Sequence, residues 1–449
     1  MEPQKTKMAD MKTVLLASEA ELYVQELKAF PIAEIGSPKW LTQHELVEKL
    51  NMQAIICAST QIDEFIKDYL ITLQKIPVLI HELIAIEMWK FKVFPTIIEQ
   101  DFDPASTLPL YFALFHEATL IGLLETIMYH RESCEAAEES ILDLLDFCHR
   151  KCSYLISRQE ELDDNEPNEK PSKDDKNLSI KELSRQHNEI KFTVCVKAVS
   201  ILNYITEHIN SLSFSVLTRM LNTHDMPLVL VQLVENPPWS RKTKQGKLEK
   251  FIDTKWRVVP ERDRLQLTKT DGQVWLALFN LLLKEDCQRK YELNDYKKAQ
   301  ILKLRGHLNE VLLDQVPSLV DLQRYLEHLA IMEPPAIKKD LILEQLPEIR
   351  ESLLKENAGK WEKIAQRQAR DYFSPSEKEI RKQAQNWAAT YNLDAIEDMI
   401  NEQPKCSTCG QPAAKRCSRC QNVWYCKREC QVKDWNKHKA VCNLVSQQK

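Results

Sequence analysis

The sequence predicts a mostly α-helical protein whose last 44 residues form a small cysteine-rich module. Three observations carry that reading. Only 7 glycines occur in 449 residues, too few for the positive-φ turns and phosphate-cradling loops of glycine-rich nucleotide folds. Long apolar runs recur at helical spacing. Seven of the 13 cysteines fall between Cys406 and Cys442, past Pro404, where the helical pattern stops.

Residues 1–157 read as an N-terminal helical region. Thr42 and Glu45 have capping-box spacing ahead of a long periodic stretch, and Ile76–Trp89 is apolar almost all round, as a buried helix is. Residues 158–177 break the pattern. Twelve of the twenty are charged and Leu162 is the one aliphatic side chain, so the segment reads as a disordered loop or linker. A second helical region spans 178–373. Pro77 and Pro227 each open an apolar helix, and Trp89 and Trp239 each follow twelve residues later. Proline suits a first helical turn, and the parallel suggests armadillo- or HEAT-like helix pairs; coincidence between two ordinary helices is the alternative. Within 248–276, Phe251–Val259 and Arg264–Thr268 alternate and Asp271-Gly272 is a turn signal, which reads as an inserted β-hairpin, while the lysine-rich 241–247 reads as solvated loop. Leu319, Leu322, Leu326 and Leu329 share one helix face. Ser376 and Glu379 then cap a connecting helix within 374–404, and the module occupies 405–442.

The formal net charge is −5, which by itself points to neither nucleic acid nor membrane. The average hides a split. Residues 405–449 hold ten Lys/Arg against two Asp/Glu, so the body carries −13 and the module +8. No secretory leader and no apolar run of membrane-spanning length is read from the sequence, so a reducing, cytosolic or nuclear setting is expected.

The module's potential ligands are Cys406, Cys409, Cys417, Cys420, Cys426, Cys430, His438 and Cys442. Eight soft or borderline donors in a reducing compartment call for zinc, and four pairs make two tetrahedral sites. Each Cys-x2-Cys pair holds a metal through a tight turn, for which Gly410 is well placed. Protein donors fill every position, so the sites are structural and not catalytic. A module of this size cannot build a sufficient core; zinc supplies roughly 10–16 kcal/mol per site in comparable peptides. Spacing alone leaves sequential and interleaved pairings open.

The stretch Val423-Trp-Tyr-Cys-Lys-Arg-Glu-Cys-Gln-Val-Lys-Asp-Trp-Asn-Lys-His-Lys-Ala-Val-Cys442 resembles the second half of a MYND finger. The resemblance implies interleaved sites: Cys406, Cys409, Cys426 and Cys430 on one zinc, and Cys417, Cys420, His438 and Cys442 on the other. It also implies binding of short proline-containing peptides through Ser418, Gln431 and Trp435. An indole packed on proline with polar anchors for the backbone fits that role; a purely internal role for Trp435 is the alternative.

Other signals are weaker. His81-Glu82 begins like a zinc-protease helix, but Ala85 stands where the second histidine belongs. Cys148-His149-x2-Cys152 places two thiols one helical turn apart, a spacing that reads as core. No Gly-x-Ser-x-Gly or phosphate loop occurs. In MYND methyltransferases the finger sits inside a catalytic SET domain with later Asn-His motifs. Here seven residues follow Cys442 and no such motif exists, so no enzyme is expected.

The whole plan, with Ala20-Glu-Leu-Tyr-Val-Gln-Glu-Leu-Lys-Ala-Phe-Pro-Ile32, is similar to a family of MYND-bearing axonemal dynein arm assembly factors. That resemblance implies a non-catalytic scaffold or co-chaperone adaptor in the cytoplasm, near centriolar satellites and the ciliary base. Its partners would be other assembly factors, chaperones and dynein chains as clients, with no nucleic acid and no membrane insertion. A transcriptional corepressor adaptor is the alternative.

Overall fold

The computed structural model describes residues 14–61, 63–99, 104, 106–157, 178–243, 245–333, 344–374, 406–409, 411, 413, 415–418 and 423–446. Two compact units divide the chain, residues 1–380 and 381–449. The charged segment 158–177 and the connecting helix expected at 374–404 lie outside the described residues, apart from Ser374.

The first unit is helical. Its helices are α1 (Ala17–Glu26), α2 (Pro38–Thr60), α3 (Phe65–Thr72), α4 (Ile76–Lys92), α5 (Phe94–Glu99), α6 (Leu108–Ile127), α7 (Arg131–Ala136), α8 (Ser140–Ser157) and α9 (Leu178–Glu207). There follow α10 (Phe214–Thr218), α11 (Met226–Glu235), α12 (Lys269–Leu283), α13 (Glu285–Lys290), α14 (Asp295–Leu302), α15 (Glu310–Gln315), α16 (Leu319–Ile331), α17 (Ile349–Glu356) and α18 (Trp361–Asp371). One continuous apolar core runs from Leu15 to Phe373. The long α9 packs against α6, α8 and α12, so the two helical regions read from the sequence share one core.

Helix starts follow their chemistry. Pro38 is tolerated only in a first turn, and Ser37 caps α2 by accepting the Trp40 N–H at 3.3 Å. Thr42 therefore lies inside the helix, its hydroxyl donating to the Pro38 carbonyl at 3.0 Å, and the expected Thr42–Glu45 cap does not form. Pro77 and Pro227 do sit in the first turns of α4 and α11. The parallel stops there: Trp89 lies within α4, whereas Trp239 lies beyond the end of α11 and its indole donates to Asp271 Oδ1 at 2.6 Å.

That Asp271 is not in a turn. Thr268 and Asp271 form a reciprocal capping box opening α12, with the Asp271 N–H on Thr268 Oγ1 at 3.1 Å and the Thr268 N–H on Asp271 Oδ2 at 2.8 Å. Two capping bonds and the buried face of Val274, Trp275 and Leu278 outweigh the Asp-Gly turn preference. The expected hairpin is instead a three-stranded antiparallel sheet, β1 (Ser240–Lys242), β2 (Leu248–Ile252) and β3 (Lys255–Val258), in that order. Part of the supposed loop 241–247 thus supplies β1, and 264–268 supplies no strand. Asp253 and Thr254, with φ of 49° and 61°, make the two-residue link of a type I′ hairpin.

Contrary to expectation, α6 is long and apolar enough by length and composition to cross a membrane. In this body α2, α4 and α9 pack against it, and it carries Glu117 into a buried charge cluster. Lys90 pairs with Glu117 at 2.7 Å, and Lys151 pairs with Glu117 at 2.8 Å and Glu87 at 2.9 Å. Burial alone would raise the Glu117 pKa, but the two ammonium groups hold it well below the usual carboxylate range.

The last described segment of the body returns to its beginning. Asp143 of α8 accepts the Ile349 N–H at 3.0 Å, at the start of α17. In α18, Gln368 is fully buried, accepts the Trp89 indole N–H at 2.8 Å and donates to the Ile32 carbonyl at 2.8 Å. Phe373 lies against Trp89 and over Gly36. Gly36 has φ +88°, and a Cβ there would stand 2.6 Å from Phe373 Cζ. Glycine serves both demands.

Candidate metal centre

In the second unit, β4 (Lys415–Arg416) pairs antiparallel with β5 (Trp424–Tyr425), and helix α19 (Arg428–Ser446) follows. Each element places donors. Cys406 precedes a turn closed by its N–H on the Gln411 carbonyl at 2.7 Å, and the Ser407 N–H ties that turn to Trp424 at 3.0 Å. Cys417 follows β4 and its N–H meets the Val423 carbonyl at 2.8 Å. Cys426 ends the hairpin and Cys430 enters the first turn of α19. His438 and Cys442, four residues apart, share one face of that helix.

Two donor sets result. The sulfurs of Cys406, Cys409, Cys426 and Cys430 lie within 4.8 Å of one another, and so do the ligand atoms of Cys417, His438 and Cys442. Cys420 lies outside the described residues. The sets alternate along the chain, the interleaved arrangement that the MYND resemblance implies.

The separations test whether zinc fits. With Zn–S of about 2.3 Å, a tetrahedral site has sulfur–sulfur edges of about 3.8 Å. Cys409 to Cys426 is 3.4 Å, Cys426 to Cys430 is 3.6 Å and Cys430 to Cys409 is 3.8 Å. In the other set, Cys417 to Cys442 is 3.8 Å and His438 Nε2 to the Cys417 sulfur is 3.4 Å. These separations fit the edges of a zinc tetrahedron. Four thiolates within 4.8 Å of one another repel, so a deprotonated set needs a cation among them. The finger binds zinc, and these sets are its candidate ligands.

Other side chains fix the frame. Tyr425 is buried and its hydroxyl donates to Asp434 Oδ2 at 2.7 Å, locking the hairpin to α19. The Thr408 hydroxyl donates to the Cys430 carbonyl at 2.8 Å. Sequence reading registered Tyr425 and Asp434 as motif letters and missed their contact, because nine residues of separation carry no periodic signal. Of the proposed peptide contacts, Ser418 is exposed, while Gln431 and Trp435 are half-buried. Trp435 packs on the finger's small core with its ring 6.1 Å from His438, leaving part of the indole to solvent.

The body offers no comparable set: among the described residues these two are the groups of three or more Cys, His, Asp or Glu close enough to share a metal. Cys148 and Cys152 are fully buried and burial raises both thiols. Glu82 is buried too, accepting the Phe30 N–H at 2.6 Å and the Gln43 amide at 3.2 Å, a structural tie with no open ligand position.

A helical body joined to a cysteine- and histidine-built finger defines a MYND-type zinc-finger protein, and residues 406–442 match the MYND finger family. Over 446 residues the chain is 35% identical to the zinc finger MYND domain-containing protein 10 homolog of Drosophila melanogaster, covering 94% of this chain and 98% of the relative. The chain belongs to the zinc finger MYND domain-containing protein 10 family. Shorter matches are 51% identity over 41 residues to dauer abnormal formation protein 25 of Caenorhabditis elegans, 9% of this chain and 10% of that protein, and 44% over 45 residues to ubiquitin carboxyl-terminal hydrolase 19 of Arabidopsis thaliana, 10% and 7%. No solved structure matches the chain.

Proposed function

We propose that this protein is a non-catalytic scaffold or co-chaperone adaptor for the cytoplasmic preassembly of axonemal dynein arms. The observation that carries the reading is the 35% identity spanning 94% of the chain: body and finger are inherited as one plan, and the dynein-assembly role belongs to the family that plan resembles. The four-cysteine set supports a non-catalytic reading, since a metal enclosed by four protein ligands has no position for substrate. In this reading the finger holds two zinc ions, with Cys420 completing the second site. Its partner peptide lies over Ser418, Gln431 and Trp435, while the body holds a chaperone or dynein client. Two modest contacts on one chain raise affinity many-fold when both engage.

Proximity labelling in cells with motile cilia, with and without residues 405–449, tests this. Dynein chains, chaperones and assembly factors should be labelled by the full chain, and a subset should be lost without the finger. Labelling of chromatin proteins instead would favour a corepressor adaptor. Full retention of partners by residues 1–404 would leave the finger without a recruiting role.

A further inference from the structure

The acidic body carries one strongly basic element. Residues 240–258, the three-stranded sheet, hold seven Lys/Arg against Glu249 and Asp253, a formal +5 within a body of −13. The sheet ends at β3, and the direction of its backbone groups follows from its register. The Val259 N–H donates to the Leu248 carbonyl at 2.9 Å, and Lys250 pairs with Arg257 and Ile252 with Lys255. Antiparallel residues alternate between inward and outward hydrogen bonding, so the N–H and C=O of Trp256 and Val258 point away from β2. Among the described residues these four groups have no partner.

The edge is held rigid. Trp256 packs on Phe192 of α9 and on Phe251, and the Arg241 guanidinium lies 4.1 Å from its ring centre. The Asp253–Thr254 turn fixes the strand's twist. A strand held in this way loses little freedom when another pairs with it. Side chains alternate across the sheet: Lys255 and Arg257 share one face, Trp256 and Val258 the other, with Val258 54% exposed.

We propose that β3 is a docking edge for an extended acidic segment of a partner protein, which adds to the sheet as a fourth strand. The preferred guest alternates acidic residues, opposite Lys255 and Arg257, with apolar residues beside Val258. This is independent of the finger. Edge lysines also discourage indiscriminate pairing, and here they select: self-pairing of β3 in a second copy would set Lys255 and Arg257 against their own kind. Single-stranded nucleic acid is disfavoured because it needs open aromatic faces for stacking, and Trp256 is covered by Phe192 and Arg241.

The test uses the full chain with a fluorescein-labelled decapeptide of alternating Glu and Val, its Lys/Val counterpart, and an oligouridine of equal length, read by fluorescence anisotropy. The Glu/Val peptide should bind and the other two should not. Val258→Pro deletes an outward N–H and leaves the inner ladder intact; it should weaken the Glu/Val peptide by about tenfold or more. Combined Lys255→Glu and Arg257→Glu should exchange the preference, losing the Glu/Val peptide and gaining the Lys/Val one, an outcome that misfolding cannot imitate. Bound peptide should also slow hydrogen exchange at the Trp256 and Val258 amides. Failure of the Glu/Val peptide to bind, binding unchanged by Val258→Pro without that slowing, oligouridine as the sole ligand, or a dimer broken by Val258→Pro would each overturn the proposal.

Discussion

His44 and His116 meet Nδ1 to Nδ1 at 2.9 Å inside the body, with Trp40 stacked on one ring and edge-on to the other. One nitrogen must donate and the other accept, so the accepting imidazole is neutral, and burial disfavours a charge on the donating one. Burial lowers His44 to about 3 and His116 well below its ordinary value.

The pair makes the body acid-labile. Unfolded histidines take up protons below about pH 6.5 while these two do not, so stability is complete above that pH and falls as the pH drops towards 3. The loss is up to about 1.4 kcal/mol per pH unit for each imidazole. Denaturant midpoints between pH 7 and 4 measure it, and His44→Leu with His116→Leu should make the profile shallower over that interval, His149 and His187, also lowered by burial, supplying the remaining slope.

Gln368→Leu should cost about 2–3 kcal/mol in chemical denaturation. It leaves the buried Trp89 indole N–H and the Ile32 carbonyl without the partner that now satisfies both.

Glu117→Leu should be more severe. It strands the Lys90 ammonium group in the core and leaves Lys151 with Glu87 alone, a loss of about 3–5 kcal/mol in the same assay. Adding Lys90→Met and Lys151→Met should recover much of it, since the one carboxylate then left, Glu87, keeps Arg150 as its partner.

Thr254→Gly should stabilise the body by about 1 kcal/mol, because a β-branched residue at φ 61° is strained and glycine is not. A higher thermal midpoint is the expected readout.

Chelation should unfold α19 and leave the body's helices intact, seen as a partial loss of helical circular dichroism that zinc alone restores. Elemental analysis should give two zinc ions per chain; a value of one would remove the second site. Trp435→Ala should keep the zinc and weaken partner capture.

The helical class was legible because it rests on glycine scarcity and long runs such as Ile76–Trp89, whose burial a period reveals. The donors were legible because thiol and imidazole chemistry survives any ignorance of the fold. What misled were short signals with two meanings. Asp271-Gly272 is a hairpin turn in one context and the first turn of a capped helix in another, and only the burial of Val274 and Trp275 decides. Thr42 lost to Ser37 because Pro38 admits one helical position and Thr42 admits many. The His44–His116 pair, the Gln368 latch and the Glu117 cluster were invisible, since each joins residues that only the folded chain brings together.

The Gln368 latch also sets an order of events. Trp89 and its partner are separated by 279 residues, which a ribosome adding about 5–20 residues per second takes about 15–55 s to traverse. Throughout that time α4 has been made and its latch has not. The early helices must wait as sticky, incomplete surface, so the chain is exposed to aggregation for most of its own synthesis.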